Sequence, residues 1–201
     1  MKTKTNNHKE SLDLLRNSDF TVKKLVTFNG HEGMGANADI YWKNRKVAAF
    51  IDEGNGGEPY VYWMYSGNDA TDATEKVKET IRDFIASLPH YSQAEEYEDS
   101  DYDWDDTRKE WKTDDVINAL VLIAEEEREF KKILRKVCGI KKIDGVKHLV
   151  KWNKYKKADL EKPFIYRNKP TKLRDVLKAE GSVILNVLPQ AEAFALLRTY
   201  A

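Results

Sequence analysis

Four short apolar segments between residues 20 and 65, joined by brief turns, limit the fold of this chain more than any other feature. FTVKKLVTF (20–28) is rich in β-branched and aromatic residues, and NADIYW alternates, with Ala38, Ile40 and Trp42 on one face and Asp39 and Tyr41 on the other. VAAFI (47–51) and PYVYWMY (59–65) follow. Such runs read as strands, and period-two alternation means that one face is buried. The stretches between them, NGHEGMG, KNRK and DEGNGG, are too short for the crossover that parallel neighbours require, so an antiparallel meander is expected. Asn55-Gly56-Gly57 supplies the positive-φ positions that tight turns need.

The remaining elements are mostly helical. Residues 66–89 carry Val77, Ile81, Phe84, Ile85 and Leu88 at helical spacing, with an N-cap expected between Asp69 and Thr74 and a stop at Pro89. A long helix is expected from Asp114, capped by Thr113-Asp114-Asp115 and stopped by Gly139. After it, Asp144-Gly145 marks a hairpin, 153–170 is polar and broken by Pro163 and Pro170, and 171–181 is a short helix. A buried strand over 182–188 and a helix over 190–200 end the chain, and residues 1–18 form a loose arm or one short helix. The expected class is α+β: an antiparallel sheet plus helix over 1–94, an acidic connector over 95–112, and a long helix with a basic α/β half over 113–201, either separate or sharing one core.

Net charge is zero over 201 residues, with 34 basic and 34 acidic side chains, yet the two signs are segregated. Residues 131–201 hold 18 Lys and Arg against 6 Asp and Glu, leaving 16 against 28 in residues 1–130. Such asymmetry points to charged partners or to attraction between the halves. There is no apolar run of about 18 residues, so no membrane span is expected. The single cysteine, Cys138, excludes an internal disulfide. The start MKTKTNNHKESLDLL lacks a signal-type apolar stretch, and a cytoplasmic setting is expected.

Gly30-His31-Glu32-Gly33, Lys46-Val47-Ala48 and Asp52-Glu53-Gly54-Asn55-Gly56-Gly57 resemble motifs of a family of small uncharacterised proteins of phages and bacterial mobile elements. The resemblance covers most of the chain, including the basic part after the long helix. It implies a genomic setting, and with it the host cell cytoplasm, but no reaction.

Several residue groups are candidates for chemistry. His31, Glu32, Asp52 and Glu53 sit in two turns that can share a sheet edge, where a histidine with carboxylates could hold a divalent ion or move a proton. The competing reading is two solvated turns with glycines as backbone punctuation, and no complete HExxH is present. GHEGMG is followed by a strand rather than a helix, which rules out a dinucleotide loop, and there is no P-loop. Cys138, expected at a helix C-terminus, is no activated nucleophile.

Residues 131–178 carry 17 Lys and Arg with Trp152, Tyr155, Phe164 and Tyr166 interleaved. Lys141, Lys142, Lys147, Lys151, Lys154, Lys156, Lys157 and Arg167 can neutralise phosphates, and Trp152 and Tyr155 can stack on bases; a solvated lysine face is the alternative. Glu95, Glu96, Glu98, Asp99, Asp101, Asp103, Asp105 and Asp106 form an acidic run that can meet a basic partner, fold over the basic half, or serve as a solvated linker. No cofactor and no metal are implied. The favoured expectation is a non-enzymatic protein that binds a host protein or protein–nucleic acid complex, for instance as an antagonist of host defence. The alternatives are a nucleic-acid-binding protein using the basic half and a metal-dependent hydrolase around His31.

Overall fold

The computed structural model describes residues 6–64, 72–97 and 107–200. The fold is α+β, divided into two compact units, Met1–Glu125 and Glu126–Ala201. Among the described residues no helix is long and apolar enough to cross a membrane.

In the first unit α1 (Asn7–Arg16) starts at Asn6, whose side chain accepts from the Lys9 amide at 2.9 Å. The strands β1 (Phe20–Asn29), β2 (Met34–Trp42), β3 (Arg45–Asp52) and β4 (Tyr60–Trp63) then form an antiparallel sheet in the order β1-β2-β3-β4, the expected meander. Between β2 and β3 only Lys43 (φ 46°) and Asn44 (φ 67°) are needed. Two left-handed residues make the tight hairpin turn whose twist matches the strands, so Arg45 and Lys46, expected in a four-residue turn, open β3 instead. A bulge at left-handed Lys24 shifts the register of the edge strand β1 between Lys23 and Val26, a feature that discourages strand addition.

Ala36, Ala38, Ile40 and Trp42 lie on the covered face of this sheet, against Leu15 of α1, Ile81 and Ile85 of α2 (Asp72–Ala86), and Val116, Ile117 and Leu120 of α4 (Thr113–Ile133). Phe20 meets Trp42 edge-on at 4.6 Å between ring centroids, with Phe84 5.6 Å from Trp42. Each buried aromatic or branched side chain here contributes about 1.5–3 kcal/mol. The N-cap sought between Asp69 and Thr74 lies outside the described residues and side chains. At α4, Asp115 accepts from the Lys112 amide at 3.1 Å, as a capping acid should.

The opposite face carries Val26 and Phe28 of β1, Asn37 and Asp39 of β2, Ala49 and Ile51 of β3, and Tyr60 and Tyr62 of β4. Asp39 sits between the ammonium groups of Lys46 (2.5 Å) and Lys24 (3.0 Å), its side chain only 13% exposed. Hydrogen bonds from Lys46 and then Lys24 hold its carboxyl below the usual range. A depressed folded pKa gives stability that is complete above the unfolded value of about 4 and is lost as pH falls through the folded one. Asp39→Asn is therefore expected to lower the thermal midpoint at neutral pH and to match the parent near pH 2–3. A gap that stays constant across that range would show that Asp39 acts through packing rather than charge.

The second unit holds β5 (Lys136–Ile143), β6 (Val146–Lys156) and β9 (Val183–Ile184) in the order β6-β5-β9, and a separate ribbon of β7 (Pro163–Tyr166) and β8 (Lys169–Lys172). Each face of the three-stranded sheet has its own small core. One contains Phe130, Cys138 and Ile140 with Phe194 and Leu197 of α6 (Gln190–Tyr200). The other contains Val137, Leu160 and Ile184 with Leu173 and Leu177 of α5 (Leu173–Ala179).

Four expectations need correction. The long helix ends at Ile133, not Gly139; Cys138 and Gly139 lie inside β5, because strand pairing on both sides outweighs the helical spacing of Phe130, Leu134 and Cys138. Residues 182–188 give only a two-residue strand and a 3-10 turn, Leu185–Val187. The stretch holding Pro163 and Pro170 is a hairpin turning at Arg167 (φ 49°) and Asn168 (φ 63°); in a two-stranded ribbon both strands are edges, where proline is tolerated. The division between units falls within α4, whose first turns pack in the sheet's core, rather than in the acidic stretch.

Candidate functional site

The antiparallel order brings NGHEGMG and DEGNGG to one end of the first sheet, and they interlock through backbone. The Gly30 amide donates to the Gly33 carbonyl (2.7 Å) and the Glu32 amide crosses to the Gly54 carbonyl (2.8 Å). A Cβ on Gly30 would collide with the Gly54 carbonyl and stand 2.5 Å from that of Glu53; one on Gly35 would stand 2.6 Å from the Asp52 carbonyl. Asp52 Oδ1 accepts from the Gly54 amide at 2.9 Å, and Glu53 accepts from the Asn55 side chain at 3.0 Å. His31, Glu32 and Glu53 are exposed and Asp52 is half-buried. Among the described residues no group of three His, Cys, Asp or Glu is placed to hold a metal ion. Close backbone packing therefore accounts for the glycines without calling on a site.

The basic candidates fall in several places on the second unit. Lys142 and Lys147 stand directly opposite each other near the Asp144-Gly145 turn, both exposed, and Lys151 is opposite Cys138 on the same face. Lys141 is paired with Glu180 at 3.2 Å. Lys154 lies over the Tyr155 ring at 6.0 Å, and Arg167 over that of Tyr166 at 5.2 Å. Lys156 ends β6 and Lys157 opens a 3-10 turn, Lys157–Glu161, where the Lys157 amide donates to the Arg135 carbonyl at 3.4 Å. Trp152 and Tyr155, expected to stack on bases, are half-buried and pack against the core of Val137, Leu160 and Ile184. The Phe164 side chain lies outside the described ones.

Of the acidic run, Glu98, Asp99, Asp101, Asp103, Asp105 and Asp106 lie outside the described residues, and the expectation for them with it. Glu96 is half-buried. Glu95 is a correction: it is not a solvated partner surface but 6% exposed in the short helix α3 (Gln93–Glu96), with Oε2 accepting from Arg108 at 2.9 Å. A carboxylate at this depth needs a cation, and Arg108 supplies it while also donating to the His90 carbonyl. Cys138 is fully buried, and burial pushes its thiol up to about 11 against the weaker pull of Lys151, which leaves no thiolate at neutral pH.

Three residues of the second unit were not singled out by the sequence. Asn186, 6% exposed, accepts from the Cys138 amide and donates to the Leu134 and Lys136 carbonyls, each at 2.8 Å. It thus fixes the corner between α4 and β5, and with it Arg135. Lys131 and Arg135 line one groove with Lys156 and Lys157, a position that depends on where α4 stops. No protein-family model matches the chain, and no curated protein or solved structure matches it either.

Proposed function

We propose that this is a non-enzymatic macromolecule-binding protein whose second unit contacts the phosphate backbone of nucleic acid. One observation carries the reading: among the described residues, the exposed lysines Lys142, Lys147, Lys151 and Lys154 are paired with no carboxylate, while Asp159, Glu161 and Glu180 are already taken by other cations. Lys142 opposite Lys147 is a like-charge pair that costs stability alone and is relieved by an anion. Lysines give sequence-independent contacts, and Trp152 and Tyr155 are half-buried against the core rather than free on the surface. The setting attached to this proposal comes from the resemblance to mobile-element proteins: action in the host cytoplasm on a protein–nucleic acid complex of host defence, with no cofactor.

Labelled DNA and RNA titrated over a range of salt test the reading. The expected outcome is an affinity that falls linearly on a log–log plot with a slope of about −3 or steeper, and that changes little with sequence. No binding at low salt, or binding indifferent to salt, would overturn it.

A second reading, a protein partner, is favoured by the sheet face opposite the core, where Val26, Tyr60 and Tyr62 are each more than half exposed and the two tyrosine rings lie 6.4 Å apart. It expects one host protein retained in high salt and lost on replacing both tyrosines with serine.

A further inference from the structure

The second unit contains an open groove of about 440 Å³ lined by Lys131, Leu134, Arg135, Lys156, Lys157, Ala158, Gln190 and Phe194. Four of these are cations and none is an acid. The half-buried Leu134 and the 3% exposed Phe194 give the groove an apolar floor, and the exposed cations line it with Ala158. The groove is built where three elements meet: the end of α4, the end of β6, and the first residue of α6, whose N-terminus adds the positive end of its dipole.

Among the described residues, the nearby carboxylates pair with this rim only at Lys131. Asp159 is occupied twice, by the Lys156 backbone amide (2.7 Å) and the Lys162 ammonium (2.6 Å). Glu127 pairs with Lys131 at 3.2 Å, and Glu192, in the first turn of α6, does not line the groove. Arg135, Lys156 and Lys157 have no carboxylate partner among the described residues. The cavity lined by Tyr166, Arg167, Lys169, Asp175 and Glu180 in the same unit mixes both signs and lacks this character.

We infer that this groove is the principal seat for phosphates of a nucleic-acid backbone, with Arg135 as the forked donor and Lys156 and Lys157 as point charges beside it. The inference rests on the nucleic-acid reading above and adds a place to it. Three cations gathered in a concave site raise the local potential more than the same number spread along a strand. Arg135 also offers paired N–H donors that match two phosphate oxygens. The apolar floor suits the sugar edge between phosphates and gives no base-specific contact.

The test compares two variants of equal charge loss in the full chain: Arg135→Gln/Lys156→Gln/Lys157→Gln in the groove, and Lys142→Gln/Lys147→Gln/Lys151→Gln on the hairpin. Both are titrated with one short labelled oligonucleotide, as single strand and as duplex. The groove variant is expected to reduce the salt slope by about 2–3 and the affinity at ~0.1 M salt roughly 100-fold, and the hairpin variant, which removes secondary phosphate contacts, to reduce both by a smaller amount. Equal losses in the two variants would mean diffuse attraction and overturn the groove while leaving the nucleic-acid reading in place. A parent that binds neither probe would remove the reading itself. Amide chemical shifts of the parent titrated with the same strand keep the test open if the groove variant does not fold: changes should gather at residues 131–135, 156–158 and 190–194, and changes confined to the 142–151 hairpin would refute the site.

Discussion

Asn186→Ala is expected to destabilise the second unit by about 3 kcal/mol, although it removes only one small polar side chain. The side chain saturates three backbone groups that no regular element can serve. Leu134 and Lys136 present carbonyls at the corner where α4 gives way to β5, and Cys138 presents an amide at the start of the pairing; all three reach Asn186 at 2.8 Å. Alanine leaves one donor and two acceptors buried without partners, each at a cost of about 1–3 kcal/mol before relaxation and water entry reduce the sum. Amide exchange at Cys138 is the sharpest readout. It should speed up roughly 100-fold, since every 1.4 kcal/mol of lost opening energy is about tenfold. Asn186→Asp should be worse than alanine at neutral pH, because a carboxylate would face the two carbonyls. It should recover in part on acidification, when one oxygen can donate. If alanine leaves Cys138 exchange unchanged, the corner is held by its hydrophobic neighbours and Asn186 is incidental.

What could be read from the sequence follows how local the cause is. The first sheet was legible because the alternation of Ala38, Ile40 and Trp42 and the brevity of the turns act over a few residues. The end of α4 was not. Phe130, Leu134 and Cys138 repeat at four, which fits a helix, while Val137, Cys138 and Ile140 suit a buried strand equally well. The choice is made by Asn186 and β9, 43 or more residues away (Ile140 to Val183), and neither announces itself. The turn in KNRK was legible but not its two-residue length, and the Arg167-Asn168 turn escaped notice, because left-handed backbone at lysine or arginine is imposed by the ladders on either side rather than by the residue. Glu95 belonged by composition to a solvated run, and its burial depends on Arg108 beyond the acids. Of the proposed groove, Lys156 and Lys157 were visible as charges, and only the true end of α4 places Lys131 and Arg135 beside them.

Gly54→Ala is expected to cost about 3 kcal/mol, more than the same substitution at Gly33 or Gly145. Two effects add at this position. The backbone is left-handed, with φ at +64°, which costs an ordinary residue about 1–2 kcal/mol. A Cβ would also stand 2.7 Å from the Gly35 nitrogen and 2.9 Å from the Gly33 oxygen. Both are backbone atoms of the facing turn, so no side chain can rotate away, and relief requires parting the two loops. That parting breaks the Glu32-to-Gly54 hydrogen bond that ties them. Two comparisons isolate the terms. Gly145 has φ at +87° with nothing within 4 Å of its Cβ position, so its alanine variant carries the strain alone, about 1 kcal/mol. Gly33 has open space and no left-handed φ, so its variant should be near neutral. His31→Ala, at an exposed tip, should leave the thermal midpoint unchanged, while Gly54→Ala should lower it by about 10 °C. If Gly54→Ala costs no more than Gly145→Ala, the turns do not lock through their backbones, and the shared glycines of GHEG and DEGNGG would again call for a ligand.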